Sequence, residues 1–254
     1  MPSADSAYYH SLRPLAALFE TGLPVLTYHK LGPRPGGTRL KGLYLSQRLF
    51  ARQMAELREA GFVSSKLSVL SNSGSARSVP NRRVVITFDD GLRNVLEFGV
   101  PLLKQHKFSA IQFLVAGKIG GQNDWEIADG EVPESLMNEA QVREWLAAGN
   151  EIGSHTLTHP WLTRLPQAQA REEISASRRL LEDRFGVPIE HFCYPYGDWN
   201  ESIRDLVAAA GYKTACTTQP GINTPNDSPF ALKRFTARYP SRNLKAIWRR
   251  LLRA

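Results

Sequence analysis

Two short segments concentrate residues that could do metal and proton chemistry. In Thr87-Phe88-Asp89-Asp90-Gly91, two carboxylates stand side by side on a glycine-containing turn that ends the β-type run Val84-Val85-Ile86-Thr87-Phe88. Adjacent acids repel, and a division of roles removes the conflict. If Asp90 binds a divalent cation its charge is offset, leaving Asp89 free to take a proton from water. Alone, an Asp-Asp-Gly turn is ordinary and can be structural. In His155-Thr156-Leu157-Thr158-His159-Pro160 the histidines are four apart, a spacing expected to stack them on one face of a helical turn. Two imidazoles and a carboxylate suit zinc or a neighbouring transition metal, with positions left open for water and substrate. A lone His-x-x-x-His pair is often incidental. The conjunction of the two motifs, both after strand-like runs, favours the metal-site reading over the structural one.

The elements that must position these groups alternate between β-type runs and helical patterns, which predicts an α/β fold with repeated βα units and a parallel sheet or barrel. Expected strands are 24–29, 84–88, 109–115, 151–154, 190–194 and 212–217, and expected helices lie near 46–60, 96–105, 139–148, 167–185 and 201–210. Ser46 is placed as an N-cap, Gly61 and Gly149 as helix stops, and 71–80 as a polar loop. Every polar cluster follows a strand, where the βα loops of parallel barrels converge and catalytic groups gather. The Gly-rich loop after the third strand is long enough to act as a lid, and Trp125 and Trp161, beside the motifs, could stack on a ligand's rings or simply pack.

The chain has 254 residues, 42% apolar and 22% charged, enough for one large α/β domain with its own core. The start, Met1-Pro2-Ser3-Ala4-Asp5, lacks a basic region leading into an apolar run, and no stretch reaches the roughly 18 apolar residues of a membrane span, so a cytoplasmic protein is expected. Cys193 and Cys216 sit in apolar runs and are expected to be buried thiols. The formal charge of +8 resides entirely from Lys233 onward, where eight Lys and Arg meet no acid. There Leu244, Ile247, Trp248, Leu251 and Leu252 recur at helical spacing opposite basic residues. A packed helix with a solvated basic face is one reading, and peripheral contact with an anionic membrane surface is the other. No nucleic-acid-binding motif accompanies the charge, and no nucleic-acid partner is expected.

The Thr-Phe-Asp-Asp-Gly motif, the His-Thr-x-x-His motif and the segment Tyr194-Pro195-Tyr196-Gly197, in that order, resemble the polysaccharide deacetylases of carbohydrate esterase family 4, the NodB-homology group. The resemblance covers roughly residues 23–236, leaving 1–22 as an N-terminal extension and 237–254 as a basic amphipathic segment. It implies a single-domain, distorted (β/α)7-type barrel and one divalent metal, zinc or another transition metal, held by Asp90, His155 and His159. It also implies Asp89 as general base, an oxyanion hole using the backbone amide of Tyr196, and an acetylated amino sugar as substrate.

Two departures from the family pattern matter. The arginine that many members place before the Pro-Tyr pair, to hold the catalytic aspartate, is replaced by Cys193, and Arg234 in Leu232-Lys233-Arg234-Phe235 is the candidate substitute. The late histidine that supplies the general acid is missing, since no histidine follows His191. Leu26-Thr27-Tyr28-His29 resembles that late motif moved to the front, as in permuted members acting on poly-N-acetylglucosamine, which makes His29 the expected acid. Barrel closure brings the first and last strands together, and an imidazolium can protonate a leaving amine. An O-acetyl esterase or cyclic-amide hydrolase on the same scaffold is the alternative within enzymes, and a non-catalytic glycan-binding barrel is the alternative outside them.

Overall fold

The computed structural model describes Ser11 and residues 15–71 and 81–236. The expected basic segment 237–254 and most of the polar loop at 71–80 lie outside the described residues.

Among the described residues ten strands and six α-helices follow one another: α1 (Ala16–Phe19), β1 (Val25–Tyr28), β2 (Lys30–Leu31), β3 (Tyr44–Leu45), α2 (Gln47–Glu59), β4 (Val63–Ser64), β5 (Arg83–Phe88), α3 (Arg93–His106), β6 (Ile111–Leu114), α4 (Glu139–Ala147), β7 (Glu151–Ser154), α5 (Gln167–Phe185), β8 (His191–Cys193), α6 (Glu201–Ala209), β9 (Thr214–Cys216) and β10 (Phe235–Thr236). Seven strands form one parallel path in the order β10-β1-β5-β6-β7-β8-β9, with β4 branching onto β5. The last segment links the two edges of this curled sheet. Leu232 bridges to Cys216 of β9, and Phe235 pairs with Leu26 of β1. The result is the distorted seven-stranded barrel expected from the sequence.

Local chemistry sets the helix ends. Ser46 Oγ accepts from Leu49 N at 3.2 Å and starts α2. Asn138 and Gln141 form a reciprocal capping box at α4, and Gly149 leaves that helix with φ 84°. Strand residues alternate between two cores. Leu26, Tyr28, Val84, Ile86, Phe88 and Phe192 pack against helix residues such as Phe50, Val95, Val142 and Ile174. Val25, Val85, Ile111, Phe113, Cys193, Cys216 and Leu232 fill the barrel interior. Cys193 and Cys216 are register partners on neighbouring strands, buried and unbridged. No helix among the described residues is long and apolar enough to cross a membrane.

The parallel register determines what meets at the carboxyl end. Tyr28 of β1 is paired with Phe88 of β5, so His29 and Asp89, the next residue of each strand, emerge side by side. Ser154 ends β7 next to Leu114 of β6, which delivers His155 to the same mouth. Gly153 is needed there for close approach, because a Cβ would stand 2.6 Å from the Phe113 ring and 2.8 Å from His191 O.

Candidate active site

Asp89 lies in the barrel mouth, 3% exposed, with its carboxylate held by an arginine from the far end of the chain. Arg234 Nη1 donates to Asp89 Oδ1 and Nη2 to Oδ2, both at 2.8 Å. The guanidinium is itself fixed by Nε donating to Thr217 O at 2.8 Å and Nη1 to Thr87 Oγ1 at 3.2 Å. Such a fork matches a carboxylate in a way lysine cannot. Burial alone would raise the Asp89 carboxyl, but the charge of Arg234, helped by His29, outweighs it and holds the group below the usual carboxylate range. Gln112 Nε2 donates to Asp89 O at 3.1 Å and steadies the backbone of the turn.

Asp90 turns away from its neighbour through a left-handed backbone, φ 76°, and its carboxylate meets the two histidines. His155 Nε2 is 3.6 Å and His159 Nε2 3.5 Å from Asp90 Oδ1. These separations are too long for good hydrogen bonds. They correspond to the edge, about 3.4 Å, of a tetrahedron with bonds near 2.1 Å, the length expected for zinc with nitrogen and oxygen ligands. All three side chains are buried. His155 Nδ1 lies 2.7 Å from Cys193 O, so it donates there and presents the lone pair of Nε2 towards Asp90. Burial, then His159, push the His155 imidazole down to about 4, keeping it neutral. The donor set therefore fits a divalent transition metal.

Asp89, His155 and Cys193 also gather within 4.8 Å, but they are poorly suited to a cation. Both Asp89 oxygens accept from Arg234, burial pushes the Cys193 thiol well up, and Arg234 Nη2 stands 3.1 Å from Cys193 Sγ. A second positive charge would face the guanidinium.

The His-Thr-x-x-His segment is not the helical turn expected from its spacing. Thr156 and His159 have φ 68° and 69°, and the loop folds on itself, with His159 N donating to Thr156 Oγ1 at 2.9 Å. Glu173 of α5 accepts from Leu157 N at 3.0 Å, Thr158 N at 2.9 Å and Thr158 Oγ1 at 2.6 Å. Asp90, Thr156, His159 and Tyr196 account for four of the six described non-glycine residues with left-handed φ. Each such conformation costs about 1–3 kcal/mol, persists only where surroundings over-determine it, and is typical of functional sites.

His29, the first residue past β1, points its Nε2 to within 3.7 Å of Asp89 Oδ2 with about a fifth of its side chain exposed. Tyr196, at φ 60° in the Pro195–Gly197 turn, sets its ring edge-on to His159 at 4.6 Å and stacks on Trp161 at 4.2 Å. Trp161 remains 40% exposed. Asp198 ties this turn to the next loop, accepting from Thr163 N at 2.8 Å. Thus Asp89, Asp90, His155, His159, His29, Tyr196 and Arg234 share one mouth, while His191 is buried at the opposite end of the strands with Nδ1 2.8 Å from Thr214 Oγ1. Sequence reasoning missed Glu173 and Gln112, whose partners are remote in the chain and unmarked by any local motif.

The loop between β6 and α4 is anchored by acids rather than poised as a free lid. Glu134 accepts from Asn94 Nδ2 at 3.0 Å and from the Tyr44 hydroxyl, and it stands 3.1 Å from Lys30 Nζ as an ion pair. Glu131 Oε2 accepts from Arg39 N at 3.0 Å and Leu40 N at 2.6 Å.

Comparison with known proteins agrees with this arrangement. Residues 76–215 match the polysaccharide deacetylase domain. The chain is similar to YxkH of Bacillus subtilis (strain 168), 27% identical over 213 residues covering 84% of this chain and 70% of that protein. It is also similar to the poly-beta-1,6-N-acetyl-D-glucosamine N-deacetylase of Staphylococcus aureus, 24% identical over 164 residues, 61% of this chain and 54% of that protein. The match thus spans about half the length of the staphylococcal relative. Among solved structures, IcaB from Ammonifex degensii superposes with TM-score 0.72 at 28% identity, covering 85% of this chain and 91% of that one. The Streptococcus pyogenes deacetylase PplD shares the fold at TM-score 0.72 and 21% identity, covering 85% of this chain and 92% of that one. With barrel, motif order and matched domain in agreement, the chain belongs to the polysaccharide deacetylase family.

Proposed function

We propose that this protein hydrolyses the N-acetyl group of an acetamido sugar in a glycan or glycan precursor, with one divalent metal, zinc by the donor set, held by Asp90, His155 and His159. Asp90, His155 and His159 would hold the cation, which would supply Lewis-acid chemistry, lowering the pKa of water and polarising a carbonyl oxygen. Asp89, kept ionised and oriented by Arg234, accepts the proton of the attacking water. The Tyr196 amide donates to the charge developing on the acetyl oxygen, an interaction worth on the order of 10²–10³ in rate when a single such donor is lost elsewhere. His29 delivers a proton to the departing nitrogen. The products are acetate and the free amine.

The observation that carries this reading is the juxtaposition of two carboxylates with different partners. Asp89 is clasped by an arginine and lies 3.7 Å from His29, while Asp90 faces two imidazole nitrogens at 3.5 and 3.6 Å. An O-acetyl esterase would use the same centre, but alkoxides depend less on a protonated leaving group than amines do. The position of His29 beside Asp89 therefore supports amide cleavage. The exposed Trp161 ring, stacked on Tyr196, offers an apolar face suited to a sugar ring beside the centre.

The test is acetate release from β-1,6-linked N-acetylglucosamine oligomers, with chitin oligomers, a lipid- or nucleotide-linked acetamido sugar and an O-acetylated xylan as comparators. Release from at least one N-acetylated substrate, abolished by chelation and restored by zinc, is expected. Release confined to the O-acetylated substrate would favour the esterase, and binding without release from any would favour a glycan-binding barrel.

A further inference from the structure

The two histidines of the donor triad are held by different means. The His155 ring is oriented by a hydrogen bond, Nδ1 to Cys193 O at 2.7 Å, the usual way a ligating imidazole is fixed. His159 has no such partner. Its Nδ1 is buried and makes no hydrogen bond within the described residues, although the residue is only 5% exposed. An imidazole with one nitrogen only turned towards Asp90, at 3.5 Å, and the other unpaired is free to rotate about its side-chain torsions unless packing prevents it.

Packing prevents it here. The Trp125 indole lies flat on the His159 ring, centroids 4.4 Å apart and planes 20° apart. Two further rings meet His159 edge-on, Tyr196 at 4.6 Å and 76° and His155 at 4.8 Å and 71°. The flat face is the one that fixes the plane of the imidazole, and hence the direction of the Nε2 lone pair. Trp125 is supplied by the loop between β6 and α4, and the residues around it are tied down on both sides. Lys118 Nζ meets Asp124 Oδ2 at 2.7 Å, Asn123 N donates to Glu134 O at 3.1 Å, and Glu131 N donates to Glu126 O at 3.1 Å. Glu131 and Glu134 then fasten the loop to the segments at 39–40, 44 and 94.

We infer that Trp125 is a positioning residue for the metal site: stacked on His159, it replaces the missing hydrogen bond and aims Nε2 at the point shared with Asp90 Oδ1 and His155 Nε2. The loop is thus part of the metal centre although it supplies no ligand. This inference rests on the reading of His159 as a ligand. A hydrogen bond resists rotation through one atom, whereas an indole resists it over the whole ring, so removing the indole leaves His159 with several orientations of which one binds. Metal affinity then falls in proportion to the population of that orientation.

Zinc titration of the metal-free protein, by competition with a chromophoric chelator, separates the two layers. The wild type, Trp125→Ala, Trp125→Phe and His159→Ala are compared, with the thermal unfolding midpoint of each metal-free form measured alongside. His159→Ala is expected to abolish tight stoichiometric binding. Trp125→Ala is expected to weaken zinc binding by roughly 10–100-fold, the range seen when the supporting partner of a metal ligand is removed. Trp125→Phe, which keeps a flat ring against the imidazole, is expected to recover most of the loss. Wild-type affinity in Trp125→Ala alongside a defective His159→Ala would overturn the positioning role and leave the ligand assignment standing. Wild-type affinity in His159→Ala would instead overturn the ligand assignment. Should Trp125→Ala lower the metal-free midpoint so far that affinity cannot be read, Trp125→Phe and Trp125→Leu decide it: equal affinity in the two would refute a role for the flat ring.

Discussion

Arg234 grips Asp89 through two parallel hydrogen bonds of 2.8 Å, although 145 positions of sequence separate them. The pair is buried, with side chains 1% and 4% exposed, so each charge depends on the other. Breaking such a pair from one side costs about 3–5 kcal/mol because it strands a buried charge.

The first prediction follows from that dependence. Arg234→Ala should lower activity by at least 10-fold and move the acidic limb of the pH–rate profile to higher pH. In the wild type, burial raises the Asp89 carboxyl but Arg234 outweighs it. Without the arginine, burial is opposed only by the lesser pull of His29 and His155, and the base becomes protonated at higher pH. Cys193 Sγ is 3.1 Å from Arg234 Nη2 and 3.7 Å from Asp89 Oδ2, so Cys193→Arg in the Arg234→Ala background should reach the same carboxylate and recover part of the rate. An unshifted acidic limb in Arg234→Ala would show that the arginine does not control Asp89.

That pair also shows what the sequence made legible. Repeated βα units, the Ser46 cap and the motif positions followed from local patterns, because strand alternation and helix capping act over a few residues. Arg234 became a candidate through a gap, the cysteine at 193 where an arginine was expected. The Thr156–His159 backbone was misread as helical because four-residue spacing carries no record of Glu173, whose carboxylate holds the loop in left-handed turns from another helix. The stacking of Trp125 on His159 was equally hidden. A tryptophan in a polar loop has many possible neighbours, and only the acids that pin the loop, Glu131 and Glu134, select one.

The second prediction separates the adjacent aspartates. Asp89→Asn should keep stoichiometric metal and lose activity by roughly 10²–10⁴, as expected for a proton-transfer group. Asp90→Asn and the His155→Ala/His159→Ala double variant should lose tight metal binding. Elemental analysis after dialysis, with acetate release measured in parallel, distinguishes them. Metal lost from Asp89→Asn but retained by Asp90→Asn would reverse the roles.

The third prediction concerns stability rather than chemistry. Burial pushes the His191 imidazole down to about 4 although Glu151 and Glu190 favour its charged form. Unfolded histidine titrates near 6.5. Above that pH both states are neutral and His191 contributes no pH dependence. As pH falls from about 6.5 to about 4 the unfolded chain takes up the proton first, so stability declines, by on the order of 3 kcal/mol in total. Urea unfolding across this window should show a shallower decline for His191→Gln than for the wild type. Parallel curves would mean that His191 is protonated as readily in the fold as outside it.

The fourth prediction tests His29 as the acid. Its ring follows β1 as Asp89 follows β5, and the register of the two strands places His29 Nε2 3.7 Å from Asp89 Oδ2. A proton held there can pass to a leaving nitrogen in the mouth, which an amine requires and an activated phenol does not. His29→Ala should therefore reduce acetate release from an acetamido sugar by roughly 10²–10⁴ and cleavage of an activated aryl acetate far less. Metal content should stay at the wild-type level, since His29 lies outside the donor triad. Equal losses on amide and aryl ester would remove His29 from proton delivery and reduce it to a partner that orients Asp89.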